Sequence, residues 1–145
     1  MAVVTKIYNY TLNDFLIAGL TWTSDTILVA LDSASTFTAA DVAYTTSGTE
    51  VANANGYTTG GVAAGTRTLS AGTASPQLAK ITGGSGTSVW TATGAGFSAV
   101  AAKIYKSGAH PIAHIDFGGT LTASGGGTFT ITWDATNGVF NLASS

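Results

Sequence analysis

Ile112-Ala113-His114-Ile115-Asp116-Phe117-Gly118-Gly119 and Thr128-Phe129-Thr130-Ile131-Thr132-Trp133 carry the clearest strand signals in the chain. In the second stretch, apolar residues and threonines alternate without a break. Successive side chains of a strand point to opposite faces, so Phe129, Ile131 and Trp133 face a core. Thr128, Thr130 and Thr132 then face solvent or a neighbouring subunit. Pro111 restricts the residue before it and opens the first strand, which runs from Ile112 to Phe117 and ends at Gly118-Gly119. Gly125-Gly126-Gly127 leads into a last pair of strands. A turn over Asp134 to Gly138 joins Thr128–Trp133 to Val139-Phe140-Asn141-Leu142 as a hairpin.

Upstream, Phe97 to Lys106 fits two periods. Phe97, Val100, Ala101, Ile104 and Tyr105 recur at helical spacing, whereas the alternation of Ala99, Ala101, Lys103 and Tyr105 with Val100, Ala102, Ile104 and Lys106 suits a strand. The surrounding β context favours the strand. Thr66–Ser70, Gln77–Thr82 and Thr87–Thr93 read as three shorter strands, separated by Gly, Ser and Pro76, with a turn at Gly83-Gly84-Ser85-Gly86. Either face of the Thr87 strand suits burial. Asn55-Gly56 tolerates the positive φ of a type I′ turn, but its flanks do not alternate cleanly, so a loop and a tight hairpin fit equally. Thr38-Ala39-Ala40-Asp41 has the form of a helix start and predicts one helical turn near Ala39–Tyr44. Thr26-Ile27-Leu28-Val29-Ala30-Leu31-Asp32 is a continuous apolar run of strand length, expected in the middle of a sheet. Asn13 to Leu20 reads either as a short helix, with Asn13 as its N-cap and Gly19 closing it, or as an apolar loop over one end of the core. Val3–Tyr10 reads as the first strand.

About eight or nine short strands with Gly-rich turns predict one all-β domain over residues 1–145. The expected architecture is an antiparallel β-sandwich or jelly-roll-like barrel with at most one or two short helices. The N-terminal third is the least constrained part and also suits an arm or interface segment.

Charged residues make up only 8% of the chain, against 45% hydrophobic, with a net charge of −2. Thr, Ser, Ala, Gly and Asn must therefore cover much of the surface, which leaves it poorly protected against association. Lys6, Arg67, Lys80, Lys103 and Lys106 are too few and too scattered for a nucleic-acid face or a polybasic membrane anchor. Without cysteine there is neither a disulfide framework nor a thiolate metal site. No apolar run is long enough to span a membrane, and the first residues lack a signal-peptide pattern. A soluble, intracellularly made product is expected.

His114 and Asp116 lie two apart on one strand and share a face, with His110 nearby. An acid–base pair or metal site needs more than these, and the chain has no HExxH, calcium-loop or facial-triad pattern. The expected role of the pair is structural. The glycine clusters lack the Lys and Ser/Thr of a phosphate loop, and there is no G-x-S-x-G nucleophile elbow. Accordingly no catalytic, cofactor-binding or metal-ligating residue is assigned. Trp22, Tyr44, Tyr57 and Trp90 lie in or beside loops and polar strands, where core, a subunit interface or glycan contact would use them. A glycan hydrolase would need a second carboxylate about 5–10 Å from Asp116 in a cleft.

Several motifs in order resemble a family of small structural proteins of tailed bacteriophages. They are Gly56-Tyr57-Thr58-Thr59-Gly60-Gly61, Val89-Trp90-Thr91, Ala102-Lys103-Ile104-Tyr105, Ile115 to Gly119, and Gly127 to Trp133 followed by Gly138-Val139-Phe140. The resemblance covers roughly residues 50–142 and is strongest as a colinear set. It implies a non-enzymatic virion component, made in the host cytoplasm and seated on the outer surface of the head. Its expected role is a capsid decoration (cement) protein, a homotrimer that binds across major capsid protein subunits, without nucleic acid, membrane or cofactor. A tail, neck or fibre component touching host glycans is the alternative.

Overall fold

The computed structural model describes residues 3–17, 19–45, 48–70, 77–81, 87–133 and 140–142. In chain order its elements are β1 (Val4–Ile7), α1 (Asn9–Leu16), β2 (Ile27–Ala34), β3 (Thr49–Glu50), β4 (Val62–Ala63) and β5 (Arg67–Ser70). There follow β6 (Gln77–Ile81), β7 (Thr87–Thr91), β8 (Phe97–Lys106), β9 (Pro111–Ala123), β10 (Thr128–Thr132) and β11 (Phe140–Leu142). The fold is all-β, its sheets are antiparallel, and its layering is sandwich-like.

The apolar run at Thr26–Asp32 becomes β2, in the interior of a six-stranded sheet ordered β1-β9-β8-β2-β3, with β4 also on β2. A strand flanked on both edges and covered on both faces has no reason to alternate, which is why the run reads as continuously apolar. One face of this sheet carries Ile27, Val29, Leu31, Ala102, Ile104, Ala113, Ile115 and Phe117 into the core. The two-stranded ribbon β7–β10 packs against it through Trp90, Phe129 and Trp133. Phe129 is the hub, with ring centroids 5.8 Å from Phe97, 5.9 Å from Phe117 and 6.0 Å from Trp90. The alternation of Thr128–Trp133 is realised as expected, and Ser88, Trp90 and Ala92 form the buried face of the Thr87 strand.

Phe97–Lys106 is a strand, and its mixed period has a physical cause. Ala99 pairs with Leu121 and Ala101 with Asp116, so one residue of β8, Val100, opposes four of β9. This bulge switches faces: Phe97 and Ala99 lie in the core before it, and Ala102 and Ile104 after it. Gly118 sits inside the bulge at φ 73°. Gly118-Gly119 therefore does not end the strand, contrary to expectation, because β9 continues to Ala123.

Other expectations are corrected. Thr128–Thr132 does not form a hairpin with the segment ending at Leu142. It pairs with β7, setting Phe129 opposite Trp90, while β11 pairs with β6 in a separate three-stranded sheet with β5. Matching of apolar faces outweighs closeness in sequence. The first strand stops at Ile7, and the helix starts at Asn9 instead of after Asn13. No side chain caps it; the Asn9 N–H donates instead to Ala39 O at 2.9 Å. The expected helical turn at Ala39–Tyr44 is only a tight turn, with Asp41 N–H bonded to Thr38 O at 3.0 Å. Asn55-Gly56 does take positive φ, 54° and 92°, but within a loop, since β3 and β4 both pair with β2. The turns expected at Gly83–Gly86 and Asp134–Gly138 lie outside the described residues.

Gly61 shows how closely this loop meets the sheet. Its φ is 69°, and a Cβ there would lie 1.9 Å from Val29 O. Gly108 has a similar φ of 72° but open space around it. Gly108→Ala should therefore cost only the left-handed backbone term, about 1–2 kcal/mol. Gly61→Ala should cost about 3 kcal/mol or more, because the loop must also leave β2. Urea unfolding of the two variants checks the difference.

Candidate functional site

The face of the six-stranded sheet opposite the core is unusually polar. Cross-strand partners align Val4, Asp116, Ala101, Asp32 and Glu50 in one row, and Lys6, His114, Lys103 and Ala30 in the next. Helix α1 and the segment around residues 35–45 cover it. Phe37 lies 4.8 Å from the Tyr8 ring and 5.6 Å from His114, with Lys6 Nζ 5.3 Å from its centroid. Tyr44 stacks on Tyr105 at 3.9 Å and 9°.

Asp32 and Lys103 form the centre. Lys103 Nζ lies 2.9 Å from Asp32 Oδ1, and the side chains are 1% and 0% exposed. Lys103 also donates to Tyr44 O at 3.1 Å. At this distance the Lys103 ammonium group both hydrogen-bonds the Asp32 carboxylate and attracts its charge. Burial pushes the Asp32 carboxyl up to about 6, although Lys103 pulls the other way and Glu50 adds to the rise.

Glu50 latches the loop after β3. Its Oε1 accepts from Tyr57 Oη at 2.7 Å and from the Gly60 N–H at 2.6 Å. Tyr57 Oη accepts from the Leu31 N–H at 3.0 Å, and Tyr105 Oη donates to Gly60 O at 2.8 Å. Burial and the Glu50 acceptor drive the Tyr57 phenol far above its ordinary range. Arg67 closes the opposite end by donating to the carbonyls of Trp22, Asp25, Ala64 and Gly65.

His114 and Asp116 share a face but have separate fates. His114 is buried, and neither ring nitrogen has a hydrogen-bond partner. Burial drives its pKa down, and Lys6 and Lys103 push the same way against Asp116. Asp116 turns outward, accepting from Ser35 Oγ at 2.6 Å and from the Gly118 N–H at 2.7 Å, and these bonds hold its carboxyl low. His110 pairs with Asp14 of α1 at 3.1 Å under the Tyr10 ring. Among the described residues no three His, Asp or Glu side chains are placed to hold a metal ion. Asp32 and Glu50 are the cross-strand carboxylate neighbours, but Asp32 is fully buried and presents nothing to a substrate.

The aromatic candidates are also interior. Trp22, Tyr57 and Trp90 are 1%, 1% and 3% exposed, and Tyr44 is half-buried against Tyr105. They do not form a glycan platform, because each fills space between the sheet and its covers. The Asp32–Lys103 pair and the Glu50 latch were not singled out from the sequence. Their one signal is a lone charge inside an apolar strand, which must find a partner when buried. No helix among the described residues is long and apolar enough to cross a membrane. Comparison with family models, curated proteins and solved structures gives no match.

Removing one member of the buried pair strands the other charge. Asp32→Asn or Lys103→Met alone should destabilise by about 3–5 kcal/mol, whereas Asp32→Leu with Lys103→Met should be near neutral or stabilising. A double-mutant cycle by chemical denaturation measures this. A second test concerns pH. A folded-state His114 below its ordinary 6.5 contributes stability that is full above pH 6.5 and lost as pH falls, because the unfolded chain binds the proton first. Asp32 acts oppositely: raised from 3.8 to about 6, it gains stability as pH falls through that window. His114→Phe should remove the first effect, so its stability relative to wild type rises below pH 6.5 by up to about 1.4 kcal/mol per pH unit. Unfolding titrations between pH 7 and 4 read it out.

Proposed function

We propose that this chain is a bacteriophage virion structural protein, a capsid decoration protein that binds across major capsid subunits as a homo-oligomer and stabilises the head. The observation that carries the reading is the colinear motif set from residue 50 to 142, which resembles small structural proteins of tailed phages. The disposition of charge supports it. Asp32, Lys103 and Glu50 are committed inside, Arg67 is spent on backbone carbonyls, and Lys106 pairs with Asp25 at 2.9 Å. Apart from Lys6 on β1, exposed strand positions such as Thr128, Thr130, Val89 and Val4 are uncharged and can meet a neighbour without desolvating ions.

The mechanism is mass action without chemistry. A ligand that binds only the assembled lattice stabilises it by about 2.7 kcal/mol per site at a free concentration one hundred-fold above Kd. Repetition over the head multiplies that gain. Quantitative protein analysis and imaging of purified virions provide the test. A fixed high ratio to the major capsid protein on the head surface, with heads lacking the protein rupturing at lower temperature, is the expected result. A few copies at one vertex would sink the assignment in favour of a neck or tail component.

A further inference from the structure

Among the described residues, β1 is the last strand of the six-stranded sheet and β10 pairs only with β7. Between them runs a groove of about 310 Å³ lined by β1, β9 and β10. All of residues 129–133 line it, from both faces of the strand, so the groove follows the backbone edge of β10. A second hollow of about 180 Å³ continues along Thr128–Thr130 beside Leu121 and Thr122. The rim exposes apolar surface, with Val3 63% and Leu121 39% accessible.

Natural sheets guard their edges with charge, proline, bulges or brevity. Here β1 carries the exposed Lys6, while β3, β4 and β11 are two or three residues long. The outer side of β7 is approached by Asn55 and Gly56, with the Thr93 N–H bonded to Asn55 O at 2.8 Å. By contrast β10 has five residues in unbroken register, with no charge, no proline and no bulge. Among the described residues, none of the side chains lining the groove is charged.

We infer that the edge of β10 away from β7 pairs antiparallel with β10 of a second copy about a twofold axis. The strand is self-complementary. Centred on Thr130, the pairing sets Thr130 opposite its own copy, Phe129 opposite Ile131 and Thr128 opposite Thr132, so apolar and threonine faces stay continuous. The marginal two-stranded ribbon becomes a four-stranded sheet, and the Val3 and Leu121 rims of both copies close on each other. A strand pair of this length covers less than the roughly 1,600 Å² of a standard interface, so the dimer depends on concentration. The contact closes at two chains, and a trimer seated on a head would form through another face. It holds whether or not the chain decorates a capsid.

Sedimentation equilibrium of the full chain over a concentration series tests this. Wild type should rise from one to two chain masses. Leu121→Lys and Thr130→Lys, both at exposed positions, should each weaken association by about tenfold or more while keeping the native circular dichroism, since Thr130→Lys sets like charges against each other across the axis and Leu121→Lys puts a charge into the apolar rim. Val42→Lys, an exposed substitution in the segment covering the opposite sheet face, should behave as wild type. A wild type that stays monomeric to its solubility limit, or association unchanged in both edge variants, would overturn the pairing.

Discussion

The ion pair between Asp32 and Lys103 constrains everything around it. Two opposite charges removed from water each incur several kcal/mol of desolvation, and their mutual attraction offsets this only while both remain paired. The pair sits on β2 and β8, the two central strands, so the sheet cannot form in this register without bringing them together. Once they meet, the face must be sealed, because any shift that separates them exposes a charge to an apolar surround. The seal is the segment of residues 35–45 together with α1, whose Asn9 N–H bonds to Ala39 O. Tyr44 supplies its carbonyl to Lys103 and its ring to Tyr105, and Phe37 closes over His114.

The bulge between β8 and β9 makes that arrangement compatible with a hydrophobic core. In an unbroken strand, Phe97, Ala99, Ala101 and Lys103 would share a face, placing the ammonium group in the apolar core. Inserting the extra residues of β9 opposite Val100 turns Ala101 and Lys103 away while Ala102 and Ile104 take over the core. Gly118, at positive φ, permits the insertion. The bulge and the buried pair are therefore two parts of one solution.

This explains which parts of the fold were legible in the sequence. Thr128–Trp133 and Thr26–Asp32 were readable because each obeys one period along its whole length and the tertiary environment agrees with it. Phe97–Lys106 was ambiguous because it changes face in the middle, so neither period accounts for all of it. The partner of β10 was misread because the hairpin rule uses proximity in the chain, and the matching of Phe129 to Trp90 spans a long connection. The start of α1 was missed because its first N–H is satisfied by Ala39 O from a distant segment, which leaves no capping residue to see. At the polar face, the shared side of His114 and Asp116 followed from spacing alone. The burial of one and the exposure of the other depend on Phe37 and Ser35, which no local pattern connects to them.

A chain with so few charges faces a choice of where to place them. Here Asp32, Lys103 and Glu50 specify the register of the sheet and anchor its loop, and Arg67 ties four carbonyls together. Charges used inside in this way cannot guard outer edges. The unprotected length of β10 and the apolar rim at Val3 and Leu121 are then a direct consequence of how the interior is specified. A monomer in dilute solution would gain nothing from such an exterior and would risk aggregation. The same surface is advantageous to a subunit whose neighbours are always present, because contacts between neutral strands carry little desolvation penalty. The physical economy of the interior and the proposed life of the protein in an assembly therefore point the same way.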